Sequence, residues 1–225
     1  MRRIIKSIVN RTWKPYVEWY LRAPRNFKYK NSSVEIIPGV FHPGFFFSTK
    51  LLISFLEKQD LNNKNFLEMG CGSGLVSIVA AKQNAKVTTA DISSDAISCT
   101  KKNAEKNQVT ISVIESDLFK SIPQQQFDII AVNPPYYKKT PSSPDQFAWY
   151  CGENLEYFTA FFQQAKLFVN ASSRIIMVLS DECDIAGISS LAEKNGWVWE
   201  KALQKKTAWE MGYIFNIRLA KDEMK

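Results

Sequence analysis

Histidine occurs once in this chain of 225 residues and cysteine four times, and both scarcities narrow the chemistry. Cys71, Cys99, Cys151 and Cys183 lie far apart without a Cys-x-x-Cys pair, so neither a zinc site nor a disulfide framework is suggested and no metal is expected. A reduced, cytoplasmic setting follows from that usage. The lone histidine, His42, is a candidate acid or base, but a structural or merely exposed imidazole is the expectation. Long apolar runs are missing too. Near the start, Ile4-Ile5 and Ile8-Val9 are broken by Lys6, which is too short for a secretory segment or a membrane span. There is no internal repeat and no low-complexity tract.

What is present is the composition of an ordinary soluble globular protein, 45% hydrophobic and 23% charged, long enough for one domain with an appendage. The net charge of +7 is uneven. Arg2, Arg3, Lys6, Arg11, Lys14, Arg22, Arg25, Lys28 and Lys30 face a single acid, Glu18, within the first 30 residues. An acidic partner such as RNA, the ribosome or a membrane surface fits that segment, as does a plain solvated helix face, and an Arg-rich, acid-poor start also suits a transit peptide. Ile4, Ile5, Ile8, Val9 and Trp13 share one helical face, limited by Pro15, with Tyr16, Trp19 and Tyr20 in a second short piece. Phe27 to Lys30 and Val34 to Ile37 flank a turn-like Asn31-Ser-Ser33 and read as a hairpin. We therefore expect a basic helical and hairpin extension over residues 1–32 and the main domain over 33–225.

The loop Pro38 to Phe47 is rich in proline, glycine and aromatics and leads to a helix with Ser48 as the expected N-cap. From residue 65 strand and helix alternate. Strands are expected at 65–69, 86–90, 109–114, 127–132, 174–180, 197–205 and 209–219. Helices are expected from Leu75 to Lys82, from Ser93 or Ser94 to about Lys106, from Asn154 to Val169 and from Asp184 to Lys194. Residues 137–147 read as a mobile surface loop. The alternation predicts an α/β fold with a parallel sheet, helices on both faces, and a final pair of strands forming a hairpin.

The stretch Phe66 to Ala81 organises the rest. Glu68 ends an apolar strand, and Gly70, Gly72 and Gly74 allow a sharp turn and the close approach of a ligand into a helical start. A nucleotide-like molecule fits over such a strand end, although glycines also serve plain strand-to-helix turns. Asp91, Asp117 and Asn133-Pro-Pro-Tyr136 follow the next three strands, and in a parallel sheet all open onto one edge. Asp91 stands about 20 residues past the glycine loop, where a carboxylate accepts hydrogen bonds from ribose hydroxyls. Asp117 or its backbone can read an adenine amino group with Leu118 against the ring, or Asp117 simply caps a turn.

Glu68-x-Gly70-x-Gly72-x-Gly74 with these strand ends resembles the class I S-adenosylmethionine-dependent methyltransferases. Asn133-Pro134-Pro135-Tyr136 narrows the resemblance to the small-domain enzymes that modify planar amino nitrogens, among them release-factor glutamine N5-methyltransferases, ribosomal RNA guanine-N2 methyltransferases and adenine-N6 enzymes. It implies a Rossmann-like sheet of seven mostly parallel strands, the last antiparallel, and S-adenosyl-L-methionine as cofactor. It also implies a cofactor site of Glu68, Gly70, Cys71, Gly72, Gly74, Asp91, Ile92, Asp117, Leu118 and Asn133. The motif residues Asn133, Pro134, Pro135 and Tyr136 are implied as catalytic.

The chemistry accounts for that motif. An amide or exocyclic amine lends its lone pair to a conjugated system and is a poor nucleophile until its hydrogens are held. The side-chain oxygen of Asn133 and the carbonyl of Pro134 can each accept one hydrogen, the prolines keep these acceptors aimed, and Tyr136 can stack on the planar group. A protein glutamine amide is the leading acceptor, and a guanine or adenine amine in RNA or DNA is the alternative. Phe47-Ser-Thr-Lys50 stands where the glutamine enzymes often carry an acidic segment, whereas Pro38-Gly-Val-Phe41 is at least as similar to the guanine-N2 family. A nucleic-acid or ribosome binding module with a vestigial cofactor site is the non-enzymatic alternative. Phe45, Phe46 and Phe47 are expected to form one wall of the site.

Overall fold

A computed structural model describes residues 20–143, 146–207 and 210–220. The expected basic helix of residues 4–13, the aromatic residues Tyr16 and Trp19, and Trp209 lie outside the described residues. The chain opens with a hairpin of β1 (Arg25–Tyr29) and β2 (Ser32–Ile36), paired from Arg25↔Ile36 to Tyr29↔Ser32. The boundary expected between residues 32 and 33 falls inside this hairpin. Val34 and Ile36 point into the core, and the amide of Glu35 donates to Asn103 Oδ1 at 2.8 Å, so the hairpin is packed onto the main body.

The helix α1 (Phe47–Leu56) leads to β3 (Asn65–Met69) and α2 (Leu75–Lys82). Next come β4 (Lys86–Asp91), α3 (Ser94–Lys106), β5 (Ile111–Glu115) and β6 (Ile129–Val132). Then α4 (Glu156–Ala165), a 3-10 turn at Lys166–Phe168, β7 (Arg174–Ser180), α5 (Ile185–Lys194), β8 (Trp197–Lys206) and β9 (Met211–Leu219) complete the order. The seven-stranded sheet runs β5-β4-β3-β6-β7-β9-β8. β5, β4, β3, β6 and β7 are parallel, and β9 is antiparallel to both β7 and β8. The parallel sheet under two helical layers and the closing hairpin are therefore as the residue pattern predicts, and the Rossmann-like arrangement of seven strands is as the resemblance implies.

The central strands bury both faces, as parallel strands under two helical layers must. On β7, Ile175, Met177 and Leu179 meet the Phe158, Phe161 and Phe162 stripe of α4, while Ile176 and Val178 meet Leu51, Leu52 and Leu56 of α1. The aromatic stripe of α4 is core. One of the two expected helix caps differs. Ser48 is inside α1 rather than capping it: the helix begins one residue before it, and Phe46 at the N-cap has no polar side-chain atom to cap with. Ser93 does cap α3, accepting from Ala96 N at 3.3 Å.

Candidate functional site

Register alone brings the strand-end residues together. Met69 is paired with Ala90 of β4 and with Val132 of β6, so the next residues, Gly70, Asp91 and Asn133, emerge at one level on three adjacent strands. Asp91 pairs in turn with Glu115, which puts Ser116 and Asp117 beside them. A cavity of about 1210 Å³ opens over this edge, and every residue expected at the site from Glu68 to Tyr136 lines it except Gly74.

The glycine loop is built from backbone bonds. The amides of Gly70 and Cys71 both donate to the Ala90 carbonyl, at 2.8 and 3.2 Å, and that of Gly74 donates to the Cys71 carbonyl at 2.7 Å. Gly70 and Gly74 have φ of +81° and +77°, a region L side chains rarely enter. Their surroundings differ. A Cβ on Gly74 would lie 2.8 Å from Thr100 Cγ2, whereas one on Gly70 would meet nothing within 4 Å and would project into the cavity. Gly74 is thus required by packing against α3 and Gly70 by space for a ligand.

The carboxyls have distinct duties. Asp91 is tied by both oxygens, with Oδ2 accepting from Gly72 N and Oδ1 from Ser93 N, each at 3.0 Å. Burial raises its pKa against the pull of those amides. Each oxygen keeps a second lone pair for a ligand hydroxyl. Glu68 departs from the expectation that its carboxylate turns to the ligand. It is buried, and Oε2 accepts from the Ser77 amide at 2.8 Å and from the Ser77 hydroxyl, closing the first turn of α2. Desolvation pushes its pKa up to about 8. Asp117 lines the cavity while Oδ2 pairs with Lys120 at 2.6 Å, Leu118 is buried beside it, and Ile92 is 42% exposed at the rim. Burial likewise holds the Cys71 thiol protonated, with the Thr100 hydroxyl 3.2 Å from its sulfur.

On the other side of the cavity Tyr136 does more than offer a face for stacking. Its half-buried hydroxyl donates to Asn133 Oδ1 at 3.1 Å, and desolvation raises its pKa. Tyr137 donates to Glu182 Oε2 at 2.7 Å. Phe45 and Phe46 line the cavity as expected, but Phe47 does not: it packs in the core against Leu51 and Gly212, because it is already the first residue of α1 and turns with it. His42 is structural, as expected. It is 6% exposed among Tyr20, Phe27 and Phe45, accepts from the Gly44 amide at 3.1 Å, and does not line the cavity.

Residues that the linear pattern missed close the acceptor side. Phe41 stacks on Phe46 at 4.5 Å, and Trp149 packs on both, at 5.6 and 5.2 Å between ring centroids. The segment read as a mobile loop is exposed at Lys138, Lys139 and Thr140 but folds back, with the Tyr136 and Tyr137 amides donating to the Trp149 carbonyl at 3.1 and 2.9 Å. Glu156, Glu182 and Glu210 stand on the same side. Among the described residues that line the cavity there is no lysine, arginine or histidine.

Fold and strand-edge cavity together are those of a Rossmann-like α/β domain. The chain belongs to the methyltransferase small domain family, whose pattern matches residues 31–194. A Methanocaldococcus jannaschii protein named for N5-glutamine methyltransferase activity is 46% identical over 88 residues, which span 39% of this chain and 43% of that protein. Ribosomal RNA small subunit methyltransferase C of Buchnera aphidicola is 34% identical over 138 residues, 56% of this chain and 39% of that protein. The chain thus spans less than half the length of these curated relatives. Among solved structures, the Thermus thermophilus 16S ribosomal RNA N2 G1207 methyltransferase, in complex with AdoMet and guanosine, shares the fold. Its TM-score is 0.65 at 17% identity, over 87% of this chain and 50% of that one. No described helix is long and apolar enough to cross a membrane.

Proposed function

We propose that this protein is an S-adenosylmethionine-dependent N-methyltransferase acting on a planar amino group, with a protein glutamine side-chain amide as acceptor. The observation that carries this reading is the common level of Gly70, Asp91 and Asn133 on adjacent strands. The open space at Gly70 fits the cofactor, because a ligand can reach the backbone where no Cβ stands. Gly70, Cys71 and Gly72 would hold its amino acid end, Asp91 its ribose, and Ile92, Asp117 and Leu118 its adenine, with Gly74 acting indirectly by packing on α3 and Glu68 by fixing the start of α2. Bound there, S-adenosylmethionine would supply an electrophilic methyl group to the acceptor nitrogen, leaving S-adenosylhomocysteine, with the nitrogen's displaced proton passing to solvent.

The chain's own residues supply orientation. Asn133 Oδ1 takes one hydrogen bond from Tyr136 and retains a lone pair for an acceptor N–H. The Pro134 carbonyl accepts the second hydrogen, and the two rings of Pro134-Pro135 restrict its direction. Held this way, the nitrogen presents its lone pair across the short gap to Gly70, and orientation supplies much of the rate. The hairpin of β1 and β2 belongs with the catalytic domain, since Asn103 and Asn107 of the α3 end bond its backbone.

Charge favours a protein over a nucleic acid. The acceptor side presents Glu156, Glu182 and Glu210, and no described cation lines the cavity of a chain that carries +7 overall. A phosphate backbone would be repelled there, whereas a neutral or basic peptide would not. Tritiated S-adenosylmethionine incubated with the protein and fractionated cell extract tests this. Label entering protein and resisting nuclease supports the reading; label entering only RNA would replace it with the base-amine alternative. That second reading draws on the cations of residues 1–30, and it demands substrate affinity that falls steeply with added salt.

A further inference from the structure

We propose that Trp149 is a positioning residue that holds the Asn133 clamp in register with the cofactor loop; this rests on the methyltransferase reading above. Val132 is the last residue of β6, and Pro134 and Pro135 have no N–H, so beyond Asn133 the backbone cannot be tied to its neighbours by its own amides. The first donors past the prolines are Tyr136 and Tyr137. Both donate to one acceptor, the carbonyl of Trp149, at 3.1 and 2.9 Å. Asn133 is therefore suspended between two anchors, the sheet on one side and a single carbonyl on the other.

That carbonyl is held locally by a turn, the Trp149 amide donating to the Gln146 carbonyl at 3.0 Å, and toward the cofactor loop by its own side chain. The half-buried Trp149 indole braces against Phe41 and Phe46, which are stacked on each other at 4.5 Å. Phe41 in turn borders the glycine loop, its Cβ lying 3.8 Å from where a Cβ on Gly72 would stand. A continuous contact thus runs from the cofactor loop through Phe41 and Trp149 to the backbone that aims Asn133. The pairing of Tyr137 with Tyr150 and the Cys151 amide bond to the Tyr137 carbonyl, at 2.9 Å, extend the same seam away from the cavity. Remove the indole and the carbonyl keeps its local turn bonds but loses the contact with Phe41 and Phe46 that ties it to the glycine loop.

Amide hydrogen exchange on the full chain tests the brace without any acceptor. In Trp149→Ala the Tyr136 and Tyr137 amides should exchange at least about 10-fold faster, while the Gly70 and Ile78 amides keep their protection. Trp149→Phe, which retains an aromatic face, should restore it. Unchanged exchange at Tyr136 and Tyr137, or acceleration spread equally to Gly70, overturns the brace. Transfer of tritiated methyl from S-adenosylmethionine into extract protein tests the consequence. Trp149→Ala should lose about 100-fold in rate, with Trp149→Phe recovering most of it, and calorimetric affinity for S-adenosylhomocysteine should be unchanged. A wild-type rate in Trp149→Ala overturns the positioning role. No transfer by the wild type overturns the methyltransferase reading and the positioning role with it, whereas the exchange pattern still decides the brace.

Discussion

The two sides of the cavity are built on different principles. On the donor side, residues 68–77 turn on three glycines and satisfy their polar groups with near neighbours: Ala90, Asp91 and Ser77. On the acceptor side, Asn133 depends on Tyr136, Trp149, Phe41 and Phe46, brought in from separate stretches of chain. A site whose geometry is set by its own backbone is hard to alter without unfolding. One assembled from loops can be re-aimed by changing a side chain, which suits a fold whose donor stays fixed while acceptors vary.

The comparison breaks most visibly in Asn133→Ala. Methyl transfer should fall about 10³-fold, the loss expected when an oriented polar contact to the reacting group is removed. Affinity for S-adenosylhomocysteine should stay within roughly threefold, because that contact is made to the acceptor. Unchanged turnover would remove the clamp from consideration. Next comes a pair of glycine variants on the donor side. Gly74→Ala combines a positive φ with a Cβ 2.8 Å from Thr100 and should cost about 2–4 kcal/mol in urea unfolding, whereas Gly70→Ala meets no atom and should cost about 1 kcal/mol. Gly70→Ala should nonetheless weaken cofactor binding more than Gly74→Ala. Equal unfolding costs would show that packing does not distinguish the two.

That difference in construction also decides what could be read from the sequence. Gly70, Asp91 and Asn133 were legible because each follows an apolar strand of recognisable length, and a parallel sheet puts such ends on one edge. The registers Met69↔Ala90 and Met69↔Val132 then fix the level. Trp149 was not legible. It falls between a loop rich in proline and serine and the helix α4, and its partners Phe41 and Phe46 sit over 100 positions earlier, so no local period connects them. Phe47 was misplaced for a related reason, since three consecutive phenylalanines cannot share a face once a helix begins at the third. Glu68 lines the cavity, but its Oε2 is taken by Ser77. A carboxyl at a strand tip faces either the ligand or the amides of the following helix, and the Ser77 amide and hydroxyl settle the choice only in three dimensions.

Asp91→Ala sharpens the donor side further. The variant removes the acceptor for Gly72 N and Ser93 N together with the group offered to a ribose, so cofactor affinity should drop about 100-fold, near 2.7 kcal/mol. Titration calorimetry with S-adenosylmethionine measures it, and retention of wild-type affinity would mean that the cofactor does not engage this strand end.

A last comparison concerns Glu68 and separates the two sides by pH. Burial pushes this carboxyl from its ordinary 4.5 up to about 8, with the Ser77 hydrogen bonds opposing and Asp91 adding to the rise. The native state therefore keeps a proton that the unfolded chain releases. The associated stability is fully present below about 4.5 and is lost as pH rises toward about 8, with a slope of up to about 1.4 kcal/mol per unit. Glu68→Gln keeps an oxygen acceptor for the Ser77 amide and hydroxyl but cannot titrate. Its unfolding free energy, measured against the wild type in urea, should gain steadily between about pH 5 and about pH 8. Asp91 is present in both proteins, and because its charge adds to the rise at Glu68 the difference carries that coupling as well. A difference independent of pH would mean that Glu68 is already ionised at the lower end. On the acceptor side burial raises the phenol of Tyr136, which keeps it neutral across the window, so whatever pH response this pair of proteins resolves belongs to the donor half.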